Sequence, residues 1–426
     1  MSSVYRVNYQ LRAHKRDALI EFIKSMLLTP FVLHAKPHAM LEPPADHAAA
    51  TLGTEEGEDK MLPPPVRQRR ASDAREANIA RYAEIMRNVE ELIEASEHRS
   101  MEAAGLREHS RLFRLVPSVG TFFTSLPLRE AFLAEDANNS IAARRFVPPS
   151  FNDVRRHIRA IAPELRLITF DGDMTLYADG QDFAKDSELV GRLVALLQYD
   201  LRVAIVTAAS YGSDAVGYEQ RLSGLLSGFQ EAGLSAERLA RFFVLGGECN
   251  YLFQCGADCR LRYIPEEIYR PATGIRMWSD EHISALLDVA ERNLRRCVAD
   301  MHLPVRVLRK PRALGVLATA GASIRREQLH SPSQDQAALP FCAFNGGSDV
   351  WVDIGNKFIG VQMLQAYLGT TPSTTLHVGD QFLSTGNDIS TRTACSTVWI
   401  VSPQETSDVL KDLNGLLELA KRKDSN

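Results

Sequence analysis

The stretch LITFDGDMTLY, residues 167–177, constrains this chain more than any other. A short apolar run, Leu167–Phe170, breaks off into Asp171, Gly172 and Asp173. Such a run ending in acids reads as a buried strand that delivers carboxylates to a sheet edge. Side chains two apart in an extended segment share one side, so Asp171 and Asp173 are expected to face one site, with Gly172 allowing a close approach of backbone or ligand. An Asp-x-Asp pair alone is a weak sign, since acids at strand ends are often solvated turn residues.

Three later segments strengthen it. Residues 201–207 (LRVAIVT) form a second apolar run ending in the hydroxyl of Thr207. Lys357 opens a helical pattern, KFIGVQMLQAYLG, and residues 376–380 (LHVGD) end a third apolar run at Asp380, with Asp388 following in TGND. An aspartate pair, a Thr, a Lys and a Gly-Asp motif in that order resemble the haloacid dehalogenase superfamily of phosphatases and phosphotransferases. The order is specific where any single motif is not.

Cleaving a phosphate ester requires a nucleophile, a proton donor for the leaving oxygen and neutralisation of a dianion. Asp171 is the candidate nucleophile and would form an aspartyl-phosphate. Asp173 is the candidate general acid and base. A carboxylate attacking a phosphate dianion needs cations, and an octahedral Mg²⁺ on Asp171, the Asp173 backbone carbonyl and Asp380 is expected to supply them, with Asp388 in the outer shell or contributing a ligand. Lys357 would bind phosphate as a point charge, and Thr207 would donate hydrogen bonds to its oxygens. Taken singly, Thr207 reads as a strand-end cap, Lys357 as a solvated surface lysine and Asp380 as a turn acid. Asp179 reads equally as a turn residue or a substrate contact.

At 426 residues the chain exceeds one ordinary core. Its formal net charge of −4 argues against a general binder of nucleic acid or membrane surfaces. The scattered cysteines, with Cys249, Cys255 and Cys259 lacking paired CxxC spacing, read as reduced thiols rather than a zinc site. The opening MSSVYRVNYQLRAHKRD is polar and charged, and no apolar run is long enough for a bilayer, so a cytoplasmic location is expected.

Residues 1–150 read as a helical domain. Leu19, Phe22, Ile23 and Met26 fall at helical spacing, and a longer helix from Ala74 to Glu97 carries the stripe Ile79, Tyr82, Ile85, Met86, Val89, Leu92 and Ile93. Residues 41–72, with two proline clusters, are expected to be a mobile loop. Its end, Arg69-Arg70-Ala71-Ser72, matches a basic-directed phosphorylation pattern at Ser72 that is common by chance. From Phe151 strands and helices alternate, which predicts a parallel sheet. The predicted fold is therefore α/β: a Rossmann-like parallel core over residues 151–259 and 346–426, with a mixed insertion over residues 260–345. That insertion resembles the α/β cap of the superfamily, which covers the site and chooses the substrate.

Longer motifs narrow the resemblance. TFDGDMTLYADG, VTAASYG, GGECNYLF, FNGGSDVWVDIGNK and HVGDQFLSTGND, with the opening VYRVNYQLRAHKRDALIEFIKSMLLTPFVLH, are together similar to the IMP-specific 5′-nucleotidases over nearly the whole chain outside residues 41–72. The resemblance implies Mg²⁺-dependent hydrolysis of inosine monophosphate to inosine and phosphate, in purine salvage and breakdown. It implies substrate contacts from Asp171, Asp173, Asp179, Thr207, Ser348, Asp349 and Lys357. It also implies activation by ATP through the N-terminal part and a homo-oligomer, with a tetramer as the expected size. Arginines in residues 144–156 are the candidate effector segment. Two other classes stay open at this point: a sugar-phosphate phosphatase or phosphomannomutase-like phosphotransferase, and a nucleotide-sensing protein without catalysis.

Overall fold

The computed structural model describes residues 19, 21–23, 25–27, 64–102, 110–116, 122–123, 126–143, 164–274, 277–319, 339–345, 349–382 and 386–424. They divide into two compact units, one within Arg16–Val119 and Ser125–Ala160 and the other chiefly within Ile161–Asn426. The division thus falls near residue 160 rather than 150.

The first unit is helical, as expected. The described residues between 19 and 27 are helical, with Ile23 and Leu27 buried. Helix α1, Pro64–Glu102, turns Tyr82, Met86, Val89 and Ile93 inward. Helix α2, Leu128–Asn139, meets that stripe with Leu128, Ala131 and Phe132, and the Tyr82 and Phe132 rings stand edge to face at 5.9 Å. The start of α1 corrects the expected loop over residues 41–72, because residues 64–72 are helical. Proline is at home in a first helical turn, where its missing N–H has no partner to lose, and the following VRQRRASDAR contains several good helix formers. The rest of that segment, residues 41–63, lies outside the described residues.

The second unit is built on a seven-stranded sheet. In chain order its strands are β1 (Leu167–Phe170), β2 (Arg202–Val206), β3 (Phe242–Gly246), β4 (Tyr251–Cys255), β5 (Leu261–Ile264), β10 (Thr375–Gly379) and β11 (Ser396–Trp399). Their spatial order is β11-β10-β1-β2-β3-β4-β5. The five strands from β11 to β3 are parallel, and β4 and β5 continue the sheet antiparallel. The chain runs outward from β1 through β2 and β3, then returns to the other side of β1 with β10. That makes the C-terminal end of β1 a topological switch point, where open α/β sheets bind ligands. All four β1 side chains are buried, as a strand covered on both faces requires. Helix α3, Glu188–Gln198, is capped by Ser187 and buries Leu189, Leu193, Leu196 and Leu197. Two short helices follow β2, Ala215–Arg221 and α4 (Ser223–Glu231), with Leu222 between them.

A second sheet of four antiparallel strands has the order β6-β7-β9-β8, from β6 (Val305–Lys310), β7 (Ala313–Ala318), β8 (Phe341–Asn345) and β9 (Asp349–Ile354). Helix α5, Asp280–Asp300, covers one face of it: Ile283, Leu287 and Ala290 share a core with Leu314, Phe341, Val352 and Ile354, and Val307 packs against it. The predicted insertion boundaries shift at both ends. Strand β5 pairs with β4 in the core sheet, while β9 pairs with β7 and β8 in the inserted sheet, so residues 261–264 belong to the core and 349–354 to the cap. Strand periodicity cannot show this, because which edge a strand joins is decided by partners distant in sequence.

Asn250 ties the two sheets together. Its side-chain amide donates to the carbonyls of Gly247 (2.6 Å) and Ile354 (2.7 Å), and its oxygen accepts from Arg312 at 3.0 Å. Asn250→Ala leaves buried partners of these bonds unsatisfied, and a loss of about 2–3 kcal/mol in unfolding free energy is expected. Urea titration followed by circular dichroism measures it; a midpoint unchanged from wild type would contradict this role.

Candidate functional site

The backbone at the switch point places the first carboxylate. Phe170 pairs with Val378 on one side and Ile205 on the other, and the Asp171 amide donates to the Val378 carbonyl at 2.9 Å. Asp171 therefore emerges beside Gly379 and Asp380. Its Oδ1 is held by the Gly172 amide and by Lys357 Nζ, each at 2.7 Å. Its other oxygen is left clear of these two donors.

Lys357 is the first residue of helix α6, Lys357–Leu368, which Asn356 caps through the Ile359 amide at 2.9 Å and Gly369 ends at φ 64°. The helix lies close to the turn after β3: a Cβ at Gly360 would stand 2.6 Å from the Glu248 carbonyl oxygen. That approach buries Lys357 completely, so it is no surface lysine. Its ammonium also meets Asp388 Oδ1 at 2.7 Å. Asp388 is fully buried and takes two further contacts, His377 Nε2 at 3.1 Å and the Gln381 amide at 2.8 Å. His377 Nδ1 in turn lies 2.8 Å from Thr169 Oγ1. The chain Thr169–His377–Asp388–Lys357–Asp171 thus runs beneath the site, joining β1, β10 and α6.

Carboxylate oxygens of Asp171, Asp380 and Asp388 all lie within 4.8 Å of one another. Asp380 Oδ1 is buried without a hydrogen-bond partner. Burial raises Asp171 well above the ordinary carboxylate range, against the pull of Lys357, and raises Asp380 to about 7, with Asp388 adding repulsion. Burial also acts upward on Asp388, but Lys357 and His377 overcome it and hold that carboxyl low. Lys357 is kept charged, because Asp171, Asp388 and Glu248 outweigh the burial that disfavours an ammonium. One lysine facing this many buried acids leaves negative charge uncompensated, which is costly in a low-dielectric site. An all-oxygen donor set with an orphaned carboxylate oxygen fits a hard divalent cation such as Mg²⁺.

Asp173 stands apart from this group. Its Oδ1 accepts from the Gly180 amide at 3.1 Å and faces Arg221 at 3.9 Å, and burial raises its carboxyl. The side chain is one-third exposed, at 33%, which suits a group that meets an incoming ligand. Thr207 is buried just past β2, with its amide on the Leu245 carbonyl at 3.0 Å and its hydroxyl accepting from Ala209 at 3.1 Å. A Cβ at Gly172 would lie 3.2 Å from that hydroxyl and 2.3 Å from the Tyr177 oxygen, so glycine there keeps both groups against the Asp171 turn. Asp179 is exposed and close enough to raise both Asp173 and Asp349. Asp349 opens β9 of the cap and is half-buried, within reach of the Asp179 charge. Ser348 and residues 144–156 lie outside the described residues.

The sequence reading missed His377, Glu248, Arg221 and Tyr177. His377 had a visible signal, a polar ring inside the apolar run LHVG, where a buried polar group must find partners. Glu248 is fully buried, is raised to about 7 by that burial and accepts from Asn387 at 2.8 Å. Nothing local in GGECN announces it.

The family described as IMP-specific 5′-nucleotidase matches residues 1–410. The chain belongs to that family. The IMP-specific 5′-nucleotidase 1 of Emericella nidulans is 42% identical over 97% of this chain and 98% of its own length. The structure of an N-terminally truncated, IMP-bound Plasmodium falciparum IMP-nucleotidase superposes with a TM-score of 0.75, at 30% identity over 97% of this chain and 99% of that one. An ATP-bound structure of the Plasmodium falciparum IMP-nucleotidase superposes with a TM-score of 0.71 at 30% identity, covering 94% of this chain and 85% of that one. The fold class and the phosphomonoester-hydrolase family expected from the motifs are those found. Among the described residues no helix is long and apolar enough to cross a membrane.

Gly379 leaves no room for a side chain beside Asp388. A Cβ there would stand 2.5 Å from the Asp388 carboxylate, and displacing Asp388 would pull Lys357 away from Asp171. Gly379→Ala is expected to lower kcat on the order of 100-fold while far-UV circular dichroism stays native. Wild-type kcat in that variant would remove Asp388 from the positioning of Lys357.

Proposed function

We propose that this nucleotidase-family chain hydrolyses inosine 5′-monophosphate to inosine and phosphate through an aspartyl-phosphate on Asp171. The observation that carries this reading is the buried Lys357 ammonium between Asp171 and Asp388, beside the unpartnered oxygen of Asp380. A structural relative bound to IMP supports the substrate. Asp171, the Asp173 backbone carbonyl and Asp380 would hold Mg²⁺, with Asp388 as a further ligand or as their support. When bound, the ion supplies the positive charge that lets a carboxylate approach a phosphate dianion.

The chain's own groups carry the steps. Lys357 and Thr207 orient the phosphate by charge and hydrogen bonds. The Asp171 carboxylate attacks phosphorus, and Asp173, whose proton burial helps to retain, donates it to the departing O5′ of the ribose. Asp173, now ionised, accepts a proton from the water that attacks the phosphorus of the acyl phosphate. Phosphate leaves and Asp171 is restored. Asp179, Ser348 and Asp349 would contact the nucleoside side of the substrate.

Phosphate release from IMP, AMP, GMP and sugar phosphates tests the assignment. Asp171→Asn is expected to cut turnover on IMP on the order of 10⁴-fold or more while retaining IMP binding by calorimetry. For the metal, Mg²⁺ at about 100 times its Kd should add about 2.7 kcal/mol of stability, read as a higher melting temperature that Asp380→Asn loses. A melting curve indifferent to Mg²⁺ would reject the site as a metal centre.

The helical unit is assigned to ATP activation and homo-oligomer formation, a tetramer being the expected size and cytoplasm the expected location. The ATP-bound relative supports an effector of this class. No described residue of the acid–lysine site comes from the helical unit. Light scattering and IMP kinetics with and without ATP, on the full chain and on a chain starting at Phe151, should show assembly and ATP response lost together on truncation. A truncated chain that still assembles and responds to ATP would overturn that assignment.

A further inference from the structure

Helix α5 covers one face of the cap sheet, and the strand register puts Lys310, Trp351, Asp349 and Asp353 on the other. Lys310 pairs with Ala313 and Ala313 with Asp353; one rung along, Gly315 pairs with Trp351, and one further, Leu317 pairs with Asp349. Paired residues share a face in an antiparallel ladder, and Leu314 and Val352, which alternate with them, are in the core under α5. This second face turns toward the catalytic core, because Lys310 Nζ reaches the Ser210 carbonyl at 3.2 Å, three residues beyond Thr207.

Two acceptors hold that ammonium. One is the Ser210 carbonyl, and the other is the Trp351 ring, whose centroid lies 4.6 Å away. Trp351 is itself fixed. A Cβ at Gly315 would stand 2.7 Å from the ring, so the indole lies against bare backbone of the neighbouring strand, with Asp349 two residues away on the same face of β9. An ammonium carries three donors and no acceptor. With one donor on Ser210 and the charge steadied over Trp351, Lys310 retains donor capacity for an acceptor arriving between cap and core.

We propose that Lys310 is a specificity residue of this site, and that it donates to the 6-oxo group of a 6-oxopurine nucleotide while Trp351 and Ser210 position it. The inference rests on the proposed nucleotide hydrolysis and names what selects the base. A 6-oxopurine presents adjacent acceptors, its 6-oxo oxygen and N7, whereas adenine places an amino donor at the same corner. A donor-only group held in place rewards the first and opposes the second. Sites built around such a hydrogen bond discriminate far more strongly than apolar pockets do.

The test compares kcat/KM for IMP, for purine riboside 5′-monophosphate, which lacks only the 6-oxo group, and for ribose 5-phosphate. Lys310→Met is expected to lower the value for IMP about 10- to 100-fold more than that for purine riboside 5′-monophosphate, bringing the two substrates together. Lys310→Gln, which keeps a neutral donor, should give a smaller loss with the same substrate pattern, and it replaces the Met variant if circular dichroism shows that one unfolded. An equal loss on both nucleotides, or no loss on either, overturns the inference and leaves IMP hydrolysis standing. Wild-type protein that cleaves ribose 5-phosphate as well as IMP overturns the substrate assignment and this inference together.

Discussion

Lys357 holds the site together, because it is a fully buried cation in contact with both Asp171 and Asp388. A buried ammonium survives only where opposite charge surrounds it, and buried carboxylates survive only near positive charge. Each group therefore justifies the other. Asp388 is itself fastened, by His377 on the same Oδ1 that meets the lysine and by the Gln381 amide on Oδ2, which makes it a fixed stop against which the lysine rests. Asp171 gains a fixed Oδ1 and an oxygen clear of its donors, the condition a nucleophile needs. The acids still outnumber the lysine, and that imbalance is itself the argument for a divalent cation.

The sheet makes such a cluster possible. Asp171, Asp380 and Thr207 follow three neighbouring parallel strands, β1, β10 and β2, so ordinary strand spacing brings their ends side by side. Reversal of strand order at β1 opens the crevice there. Lys357 arrives from a different direction, on the first turn of α6, and Gly360 lets that helix settle against the turn carrying Glu248. The cap is inserted between β5 and α6, and both of its connections meet Asn250: the Tyr269 hydroxyl, after β5, donates to its backbone carbonyl at 3.4 Å, and its side-chain amide donates to the Ile354 carbonyl at the exit. The cap face opposite α5 carries Trp351 and Lys310 toward the loop after Thr207. Chemistry thus sits on the rigid core, and substrate choice is assigned to a sheet that can vary around it.

The acids, Thr207 and Lys357 were legible in the sequence because each closes or opens a regular element, and apolar periodicity marks such ends. LITF, RVAIV and LHVG break off abruptly, and Lys357 precedes a helix whose cap residue Asn356 and terminal Gly369 are local signals. The order of these ends, with the long motifs around them, was enough to indicate the fold class and the nucleotidase family. Tertiary structure decided the rest. Strand β5 reads like a cap strand and β9 like a core strand until their partners are known. Glu248 carries no pattern of its own, and His377 shows only as a polar ring within an apolar run; their roles come from Lys357, Asp388 and Asn387, which are more than a hundred residues from Glu248 and close to His377 only through the fold. Residues within one element announce themselves through period and capping, which are local. Partners across elements are chosen by burial and charge balance, and those exist only once the chain has closed on itself.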